Sequence, residues 1–404
     1  MSRILTTHVG SLIRPPGLLD LFAARERGEE FDEAAYERAL HSAVEDVVRR
    51  QIDAGVDVID DGEMGKRTWI TYLYERLGGL EPKMVPLDGA RYLPPSRDRI
   101  AFPEYYAEHD LEQAKQVLEK MGSFESESEG AATGKVWAVT GPITYDRGPV
   151  DRDIANFKAA LADVAPTDAF LPVVAPASVY WLENDHYGSD EEFVFAVADA
   201  LHEEYAAIVE AGLMVQVDDA VLVHEADSIL SLGGSFEDYR RWAELRIDAL
   251  NHALRDLPED RIRYHICWGS WHAPHAFDPR LADIIDLVYR VRARYYLIEQ
   301  ANAAHEHEWR VFEDAPLPEG KVLIPGVVTH HTTTVEHPQL VADRLVRLAR
   351  IVGGENVMAG TDCGFAQGAF VSRVHPTVQW AKLEALAEGA RLASRELWGS
   401  AAAV

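Results

Sequence analysis

Short apolar runs alternate with longer stretches of helical periodicity along the chain. Nine runs have the length and composition of strands: residues 4–9, 56–60, 136–140, 173–179, 214–218, 262–267, 295–299, 322–328 and 357–360. Between them apolar residues recur with the period of a helix, most clearly in residues 36–54, 190–211, 236–257 and 337–352. Ser189 or Asp190 is a suitable N-cap for the second of these helices, because acidic residues follow in its first turn. This alternation predicts a parallel α/β fold.

Eight strands, each followed by a helix, would close into a (β/α)8 TIM barrel. One of the nine candidate strands is then in excess, and we expect it to be residues 173–179. Residues 82–134 are less regular and rich in charge, which indicates an excursion from the barrel. No repeat or low-complexity linker divides the chain, so residues 1–404 are expected to form a single barrel domain.

Polar residues follow the predicted strands at the points where the strands end. In chain order they are Gly10, Ser11, Glu63, Gly141, Asp218, His265, Cys267, Glu299, His331 and Cys363. A parallel barrel gathers the carboxyl ends of its strands at one face, and that face carries the chemistry. The pattern therefore predicts one pocket for side chains that lie far apart in the sequence.

Both cysteines of the chain, Cys267 and Cys363, belong to this set. Side chains two residues apart on a strand point the same way, so His265 and Cys267 can reach one ion. Cys363 and Glu299 arrive from two other strand ends, and two thiolates, an imidazole and a carboxylate suit zinc. Such a ligand set favours the binding of a substrate thiol as a thiolate over hydrolysis. A buried cysteine beside an ordinary core histidine is the alternative.

The charge of the chain argues against some partners. With 67 acidic and 39 basic residues, the formal net charge of −28 repels phosphate backbones and anionic lipids, so neither nucleic acid nor membrane is an expected partner. No apolar run reaches the roughly 18 residues of a spanning helix, and no signal peptide is recognisable. Two cysteines suit a reducing compartment, and we expect a cytoplasmic protein with small-molecule substrates; a homo-oligomer is compatible with the sequence.

Several motifs resemble a known family in order along nearly the whole chain. The segments "TTHVGS", "DGE", "VTGPIT", "VQVDD", "HIC", "LIEQAN" and "GTDCG" are similar to the catalytic barrel of cobalamin-independent methionine synthase. The chain is too short for the duplicated barrel of that synthase, so it resembles the stand-alone members. The segments "CWGSWHAPH", "ANAAHEHEWRVFED" and "MAGTDCGF" resemble the group that includes epoxyalkane:coenzyme M transferase.

The resemblance implies a zinc ion and a role for each residue of the predicted pocket. The implied zinc ligands are His265, Cys267, Glu299 and Cys363. Gly10 and Ser11 match the backbone that touches the thiol, and Glu63 and Asp218 match the carboxylates that hold the amino group of homocysteine. His331 matches a histidine that donates a proton to the leaving group, although strand alternation does not separate it from His330. Glu63 and Asp218 could equally be ordinary carboxylates at strand ends.

One departure bears on the substrate. A tryptophan that stacks on folate soon after "TGPIT" in the synthase is missing from "TGPITYDRGPVDRD", where Tyr145 is either a substitute or a surface residue. Arg14, Lys66 and Arg67 could neutralise a sulfonate or could be solvated charges.

We therefore expect a zinc-dependent thiol S-alkyltransferase that acts on a small-molecule thiol and an alkyl donor, most like epoxyalkane:coenzyme M transferase. Methionine synthase, which transfers methyl from 5-methyltetrahydrofolate to homocysteine, is the alternative. A zinc-binding protein without alkyl transfer is the alternative of another class.

Overall fold

A closed parallel barrel is the centre of the computed structural model, which describes residues 3–26, 29–86, 96–108, 133–270 and 272–399. Seven strands form one sheet in the order β1 (Val58–Ile59), β4 (Asp168–Val174), β6 (Met214–Asp218), β7 (Ile262–Ile266), β8 (Tyr295–Ile298), β9 (Val322–Val328) and β10 (Gly360–Thr361). Residues 4–9 close the ring, because Thr6 bridges Ala359 and Thr7 bridges Val58, both in parallel. The predicted (β/α)8 barrel is confirmed.

Helices connect the strands around the outside of the barrel. In the described part of the chain they are α1 (Pro16–Glu26), α2 (Glu33–Asp53), α3 (Thr71–Tyr74), α4 (Arg97–Ala101), α5 (Gly148–Leu161), α6 (Asp190–Glu210), α7 (Ala220–Ser231), α8 (Phe236–Ala253), α9 (Leu281–Val288), α10 (Val311–Asp314), α11 (Pro338–Val352) and α12 (Pro376–Trp398). The four predicted helices correspond to α2, α6, α8 and α11. Ser189 caps α6 by accepting a hydrogen bond from the amide of Glu192 at 3.1 Å.

The third strand of the barrel was predicted wrongly. Residues 136–140 belong to β3 (Thr133–Tyr145), which pairs antiparallel with β2 (Leu77–Pro86) and parallel with β5 (Leu182–Asn184) outside the barrel sheet. Gly141 therefore does not lie at the end of a barrel strand.

β4 occupies the third position of the barrel, between β1 and β6. Residues 173–179, which we expected to be the extra run, therefore contain the end of a barrel strand. Pro172 lies inside β4, and a proline normally argues against a central strand because it cannot donate to the ladder. The predicted run therefore begins after this proline, five residues beyond the start of β4. A 3-10 helix, Pro176–Trp181, follows β4.

The predicted excursion over residues 82–134 lies partly outside the described residues, which omit 87–95 and 109–132. Its described segment, residues 96–108, docks on the loop that follows β7. Tyr105 donates from its hydroxyl to the carbonyl of His272 at 2.7 Å, and Asp98 accepts from the amide of Ala276 at 3.1 Å. That the whole chain is one domain stays a prediction.

A cluster of buried apolar side chains from most of the barrel strands fills the barrel below its open face. They include Leu5, Val58, Phe170, Met214, Leu297, Ile324 and Met358. The guanidinium of Arg263 lies over the ring of Phe170, 3.6 Å from its centroid. This packing closes the bottom of the barrel and leaves the carboxyl ends of the strands as the place for a site. Among the described residues, no helix is both long and apolar enough to cross a membrane.

Candidate metal centre and substrate pocket

Three of the predicted metal ligands converge at the carboxyl ends of the strands. The ligand atoms of His265, Cys267 and Cys363 all lie within 4.8 Å of one another. His265 is the fourth residue of β7 and Cys267 follows its end, so both side chains leave the same face. Cys363 lies two residues after β10. Neither ring nitrogen of His265 has a hydrogen-bond partner among the described residues, although the side chain is buried.

The two thiols differ in their electrostatics. The Cys267 side chain lowers the pKa of the Cys363 thiol well below its ordinary value, against the effect of burial, and His265 adds to that decrease. The pKa of Cys267 is raised well above its ordinary value by Cys363 and by burial. The half-buried Cys363, with its lowered pKa, beside a buried thiol and an imidazole is a donor set that fits zinc and does not fit the oxygen-preferring Mg²⁺ or Ca²⁺.

Glu299 lies beside this cluster, directly after β8 and almost fully buried. Its Oε2 accepts a hydrogen bond from Nδ2 of Asn302 at 2.8 Å, whereas its Oε1 has no partner among the described residues. Burial raises the pKa of Glu299 well above its ordinary value, and the charges of Asp362 and Cys363 add to the increase. A buried oxygen without a partner is available as a fourth donor, and that role stays a prediction.

Asp362 holds the loops that carry these ligands, a role that the sequence motifs did not reveal. Its Oδ1 accepts from the amides of Gln300 and Ala301, both at 2.9 Å, and its own amide donates to the carbonyl of Val328 at 3.0 Å. The ends of β8, β9 and β10 are thereby fixed to one another. Gly326 makes this possible, because an added Cβ there would overlap Asp362.

Gly10 and Ser11 lie against the loop of Cys363. The carbonyl of Ser11 accepts from the amide of Phe365 at 2.8 Å, and an added Cβ on Gly364 would come within 2.9 Å of the Ser11 Cβ. Gly10 has φ 139, a backbone conformation that favours glycine. The structure thus brings the predicted thiol-contacting backbone next to one of the predicted ligands.

The predicted carboxylate pair, Glu63 and Asp218, carries less negative charge than the sequence suggests. Glu63, in the left-handed region at φ 55, accepts from Lys66 Nζ at 2.9 Å, and both side chains are buried. Burial raises the pKa of Asp218 to about 8, so this carboxyl is largely protonated at neutral pH. Asp218 pairs in register with His265, close to the ligand cluster.

Arg14 is also buried, and its Nη2 donates to the carbonyls of Glu63 and Lys66 at 2.7 and 2.9 Å. The alternative that Arg14 and Lys66 are solvated charges is therefore wrong. Arg67 is partly exposed.

The neighbouring histidines His330 and His331 lie in different surroundings, with ring centroids 4.1 Å apart. His330 is fully buried, and neither of its ring nitrogens has a partner among the described residues. His331 is half-buried and lies 6.1 Å from the ring of His275. Burial, together with His275, lowers the pKa of His331 to about 4. Burial also lowers the pKa of His330 well below its ordinary value, so both rings are neutral at pH 7.

Tyr145, the alternative stacking surface, is half-buried at the end of β3. Its hydroxyl is buried without a partner among the described residues, and burial raises its pKa. It is therefore not an ordinary surface tyrosine.

An eight-stranded parallel barrel with a cluster of candidate metal ligands at the carboxyl ends of its strands has the arrangement of an enzyme active site. Residues 4–163 and 179–382 match the profile of the family described as cobalamin-independent synthase, catalytic domain. The chain belongs to this family, and it is a methyl or alkyl transferase.

Individual relatives are distant but match over nearly their full length. A methionine synthase of Thermococcus kodakarensis is 22% identical over 394 residues, which cover 97% of this chain and 94% of that protein. A 2-hydroxypropyl-CoM lyase of Xanthobacter autotrophicus is 24% identical over 426 residues, which cover 98% and 96%. A solved B12-independent methionine synthase from Shewanella sp. W3-18-1, in complex with selenomethionine, shares the fold with a TM-score of 0.70 at 19% identity, and the match covers 98% of this chain and 100% of that one.

Proposed function

We propose that this protein is a zinc-dependent thiol S-alkyltransferase in which a substrate thiolate attacks an electrophilic carbon, as in epoxyalkane:coenzyme M transferase. The observation that supports this function is the convergence of His265, Cys267 and Cys363 within 4.8 Å. Zinc, when bound, supplies a Lewis acid that lowers the pKa of a thiol near neutral pH. An unassisted thiol with a pKa of about 8.5 would be mostly protonated there.

The residues of the chain would bind the metal and transfer the proton. His265, Cys267 and Cys363 would hold the metal, and Glu299 would be the fourth and most exchangeable ligand. With an epoxide, a carbon–sulfur bond forms while a ring carbon–oxygen bond breaks, and the oxygen takes up a proton to become a hydroxyl. His331 is the candidate carrier of that proton: its imidazole is neutral at pH 7 and lies at the open side of the histidine pair, so it can accept the proton that the thiol releases and pass it to the oxygen.

The charges near the pocket favour a thiol without an ammonium group. Lys66 already neutralises Glu63, and the Asp218 carboxyl is largely protonated at neutral pH. The missing tryptophan after "TGPIT" also weakens the case for a folate donor. Methionine synthase remains the second candidate, since Thermococcus kodakarensis has a relative of that name and the chain keeps both carboxylates.

A single competition experiment separates the two candidates. Zinc-loaded protein is given homocysteine and coenzyme M together, with 5-methyltetrahydrofolate and a short epoxide both present, and the products are identified by mass spectrometry. A hydroxyalkyl thioether of coenzyme M would establish the favoured function. Methionine would establish the second candidate. If neither product forms, both substrate assignments are wrong.

The metal-dependent part of the proposal is tested by substitution. We expect Cys363→Ser and His265→Ala to lose zinc and to lower activity by at least about a hundredfold, because each removes one of three converging donors. The measurements are zinc content by atomic emission and the rate of thiol alkylation. His307→Ala is the matched control, since His307 is exposed and should leave both quantities unchanged. Full activity in a metal-free Cys363→Ser protein would contradict the proposal.

A further inference from the structure

Arg373 presents an unsatisfied cation on the loop of a predicted zinc ligand. It follows the short strand β12 (Val371–Ser372), which pairs with β11 (Ala366–Gly368). The amide of Arg373 donates to the carbonyl of Phe365 at 3.1 Å, two residues beyond Cys363. The guanidinium atoms Nε and Nη2 are buried and have no acceptor among the described residues.

The buried Arg76 and Arg344 have carboxylate partners, whereas the half-buried Arg373 has none among the described residues. Arg76 donates to the buried carboxylate of Glu204, and Arg344 donates to Glu306 at 2.9 Å. A buried charge without a partner is costly, and proteins keep such a charge where a ligand or substrate supplies the opposite one.

The backbone hydrogen bond to Phe365 places Arg373 near Cys363, and the charge of Arg373 acts on that thiol and on the histidine pair. Burial lowers the pKa of Arg373 to about 10, so it stays charged at neutral pH, and the Cys363 thiol opposes that decrease. Burial is the main cause of the lowered pKa of His330 and His331, and the charge of Arg373 contributes to both. The positive charge of Arg373 therefore acts on Cys363 and on both histidines of the pair.

We propose that Arg373 binds an anionic group, a sulfonate or a carboxylate, on the short thiol substrate whose sulfur is directed to the metal centre. The inference rests on the proposed function and specifies its substrate class. A guanidinium presents parallel N–H donors that match two oxygens of such a group. The anion would also supply the missing partner of Nε and Nη2. Arg373 is therefore a specificity-determining residue for the thiol rather than a group that takes part in the bond exchange.

The test compares Arg373→Gln and Arg373→Lys with the zinc-loaded wild type, using thiols that differ in their far end. The thiols are coenzyme M with a sulfonate, 3-mercaptopropionate with a carboxylate, and neutral 2-mercaptoethanol. We expect Arg373→Gln to raise KM for the preferred anionic thiol by at least about tenfold, with kcat/KM for 2-mercaptoethanol nearly unchanged. Arg373→Lys should restore part of the loss. The anionic thiol that suffers the larger loss identifies the sulfonate or the carboxylate as the group bound.

Direct binding separates this inference from the proposed function. Ethanesulfonate and propionate carry the anion without a thiol, so calorimetric titration with them does not require alkyl transfer. The matched control is Arg38→Gln, which removes a positive charge from an exposed position on α2. Binding that is weakened in Arg373→Gln and unchanged in Arg38→Gln supports the inference, even if the wild type alkylates no thiol and the proposed function fails.

Equal losses for charged and neutral thiols, or unchanged binding of both anions, would overturn the role of Arg373. Alkylation by the wild type would then leave the proposed function intact. If Arg373→Gln does not fold, the same comparison with Arg373→Lys decides the question through the smaller rise in KM.

Discussion

At the scale of single residues, an ion-paired histidine supports the wall of the pocket. The ring of His305 lies between two carboxylates, 2.8 Å from Glu308 and 3.2 Å from Asp278, and stacks on Trp268 at 4.1 Å between centroids. Trp268 is the residue after Cys267. Burial alone would lower the pKa of His305, but the two carboxylates outweigh it and raise the pKa to about 9. Within "HEHEW", His305 is thus a structural imidazolium and not a further metal ligand.

This histidine makes the stability of the protein depend on pH. Because the pKa of His305 is 6.5 in an unfolded chain and about 9 in the folded one, its contribution is complete below about pH 6.5 and is lost as the pH rises through 9. At about 1.4 kcal/mol for each pH unit, the upper bound is about 3 kcal/mol. We expect Tm to fall less between about pH 6 and about pH 9.5 in His305→Gln than in the wild type.

Thermal unfolding at several pH values measures this difference. His307→Gln, two residues away on an exposed position, should follow the wild type across the whole range. Parallel curves for His305→Gln and the wild type would show that the imidazolium does not stabilise the fold.

At the scale of elements, three neighbouring strands are joined where they meet the pocket. The Asp362 carboxylate binds two amides after β8, and its amide binds the end of β9. The approach is close because Gly326 in β9 has no side chain. Asp362 thus requires a glycine at position 326, which lies 36 residues earlier in the chain.

We predict that Gly326→Ala destabilises the protein by about 1–3 kcal/mol, because the added methyl group displaces Asp362 and leaves buried amides without an acceptor. Zinc affinity should fall as well, since Cys363 follows Asp362 directly. Denaturant unfolding and zinc titration measure the two effects. Gly17→Ala is the control, because its Cβ would meet no atom within 4 Å. An unchanged midpoint in Gly326→Ala would rule out the proposed contact.

Most elements of the barrel could be predicted from the sequence because apolar periodicity marks them directly. The third strand could not, since Pro172 interrupts β4 and residues 136–139 of β3 form an uninterrupted apolar run. Burial tells the two strands apart: β4 is buried on both faces over nearly all its length, whereas β3 alternates towards its end.

The convergence of His265, Cys267 and Cys363 was predictable because cysteine and histidine are distinctive at strand ends. The surrounding residues were not: Asp362 is a common residue type whose partners come from other strands, and Arg373 belongs to a hairpin that no pattern singles out. Lys66 was a candidate charge near the pocket, but its pairing with Glu63 was not predicted. The charge near the pocket also depends on the ion pair of Glu63 with Lys66 and on the burial of Asp218, and no motif encodes either.

At the scale of the whole molecule, the net charge of −28 contrasts with the local charge of the pocket. Arg373 is a positive charge near Cys363, and His330 and His331 add no negative charge because both rings are neutral at pH 7, whereas Glu63 is paired with Lys66 and Asp218 is largely protonated. An acidic molecule can therefore hold an anion-binding pocket, provided that the local cation outweighs the distant field.

The overall charge has its own measurable effect. We predict that Tm rises when NaCl is increased from about 10 mM to about 1 M at neutral pH, because salt screens the repulsion among excess carboxylates. The control is the same titration near pH 5, where the sequence pI of about 4.9 leaves little net charge and the increase should largely vanish. A decrease of Tm at neutral pH would mean that specific ion pairs outweigh the general repulsion.

The closure of the barrel by residues 4–9 has a consequence for how the protein is made. Thr6 must find Ala359, so the first strand emerges from the ribosome long before its last neighbour exists. Cys363 comes still later, and a nascent chain that already carries His265 and Cys267 has an incomplete donor set. During synthesis the growing sheet has two unpaired edges, which are open to mispairing until the final strand arrives. The segment from Ala359 to Cys363, the last part of the catalytic face to be synthesised, therefore both closes the barrel and completes the donor set.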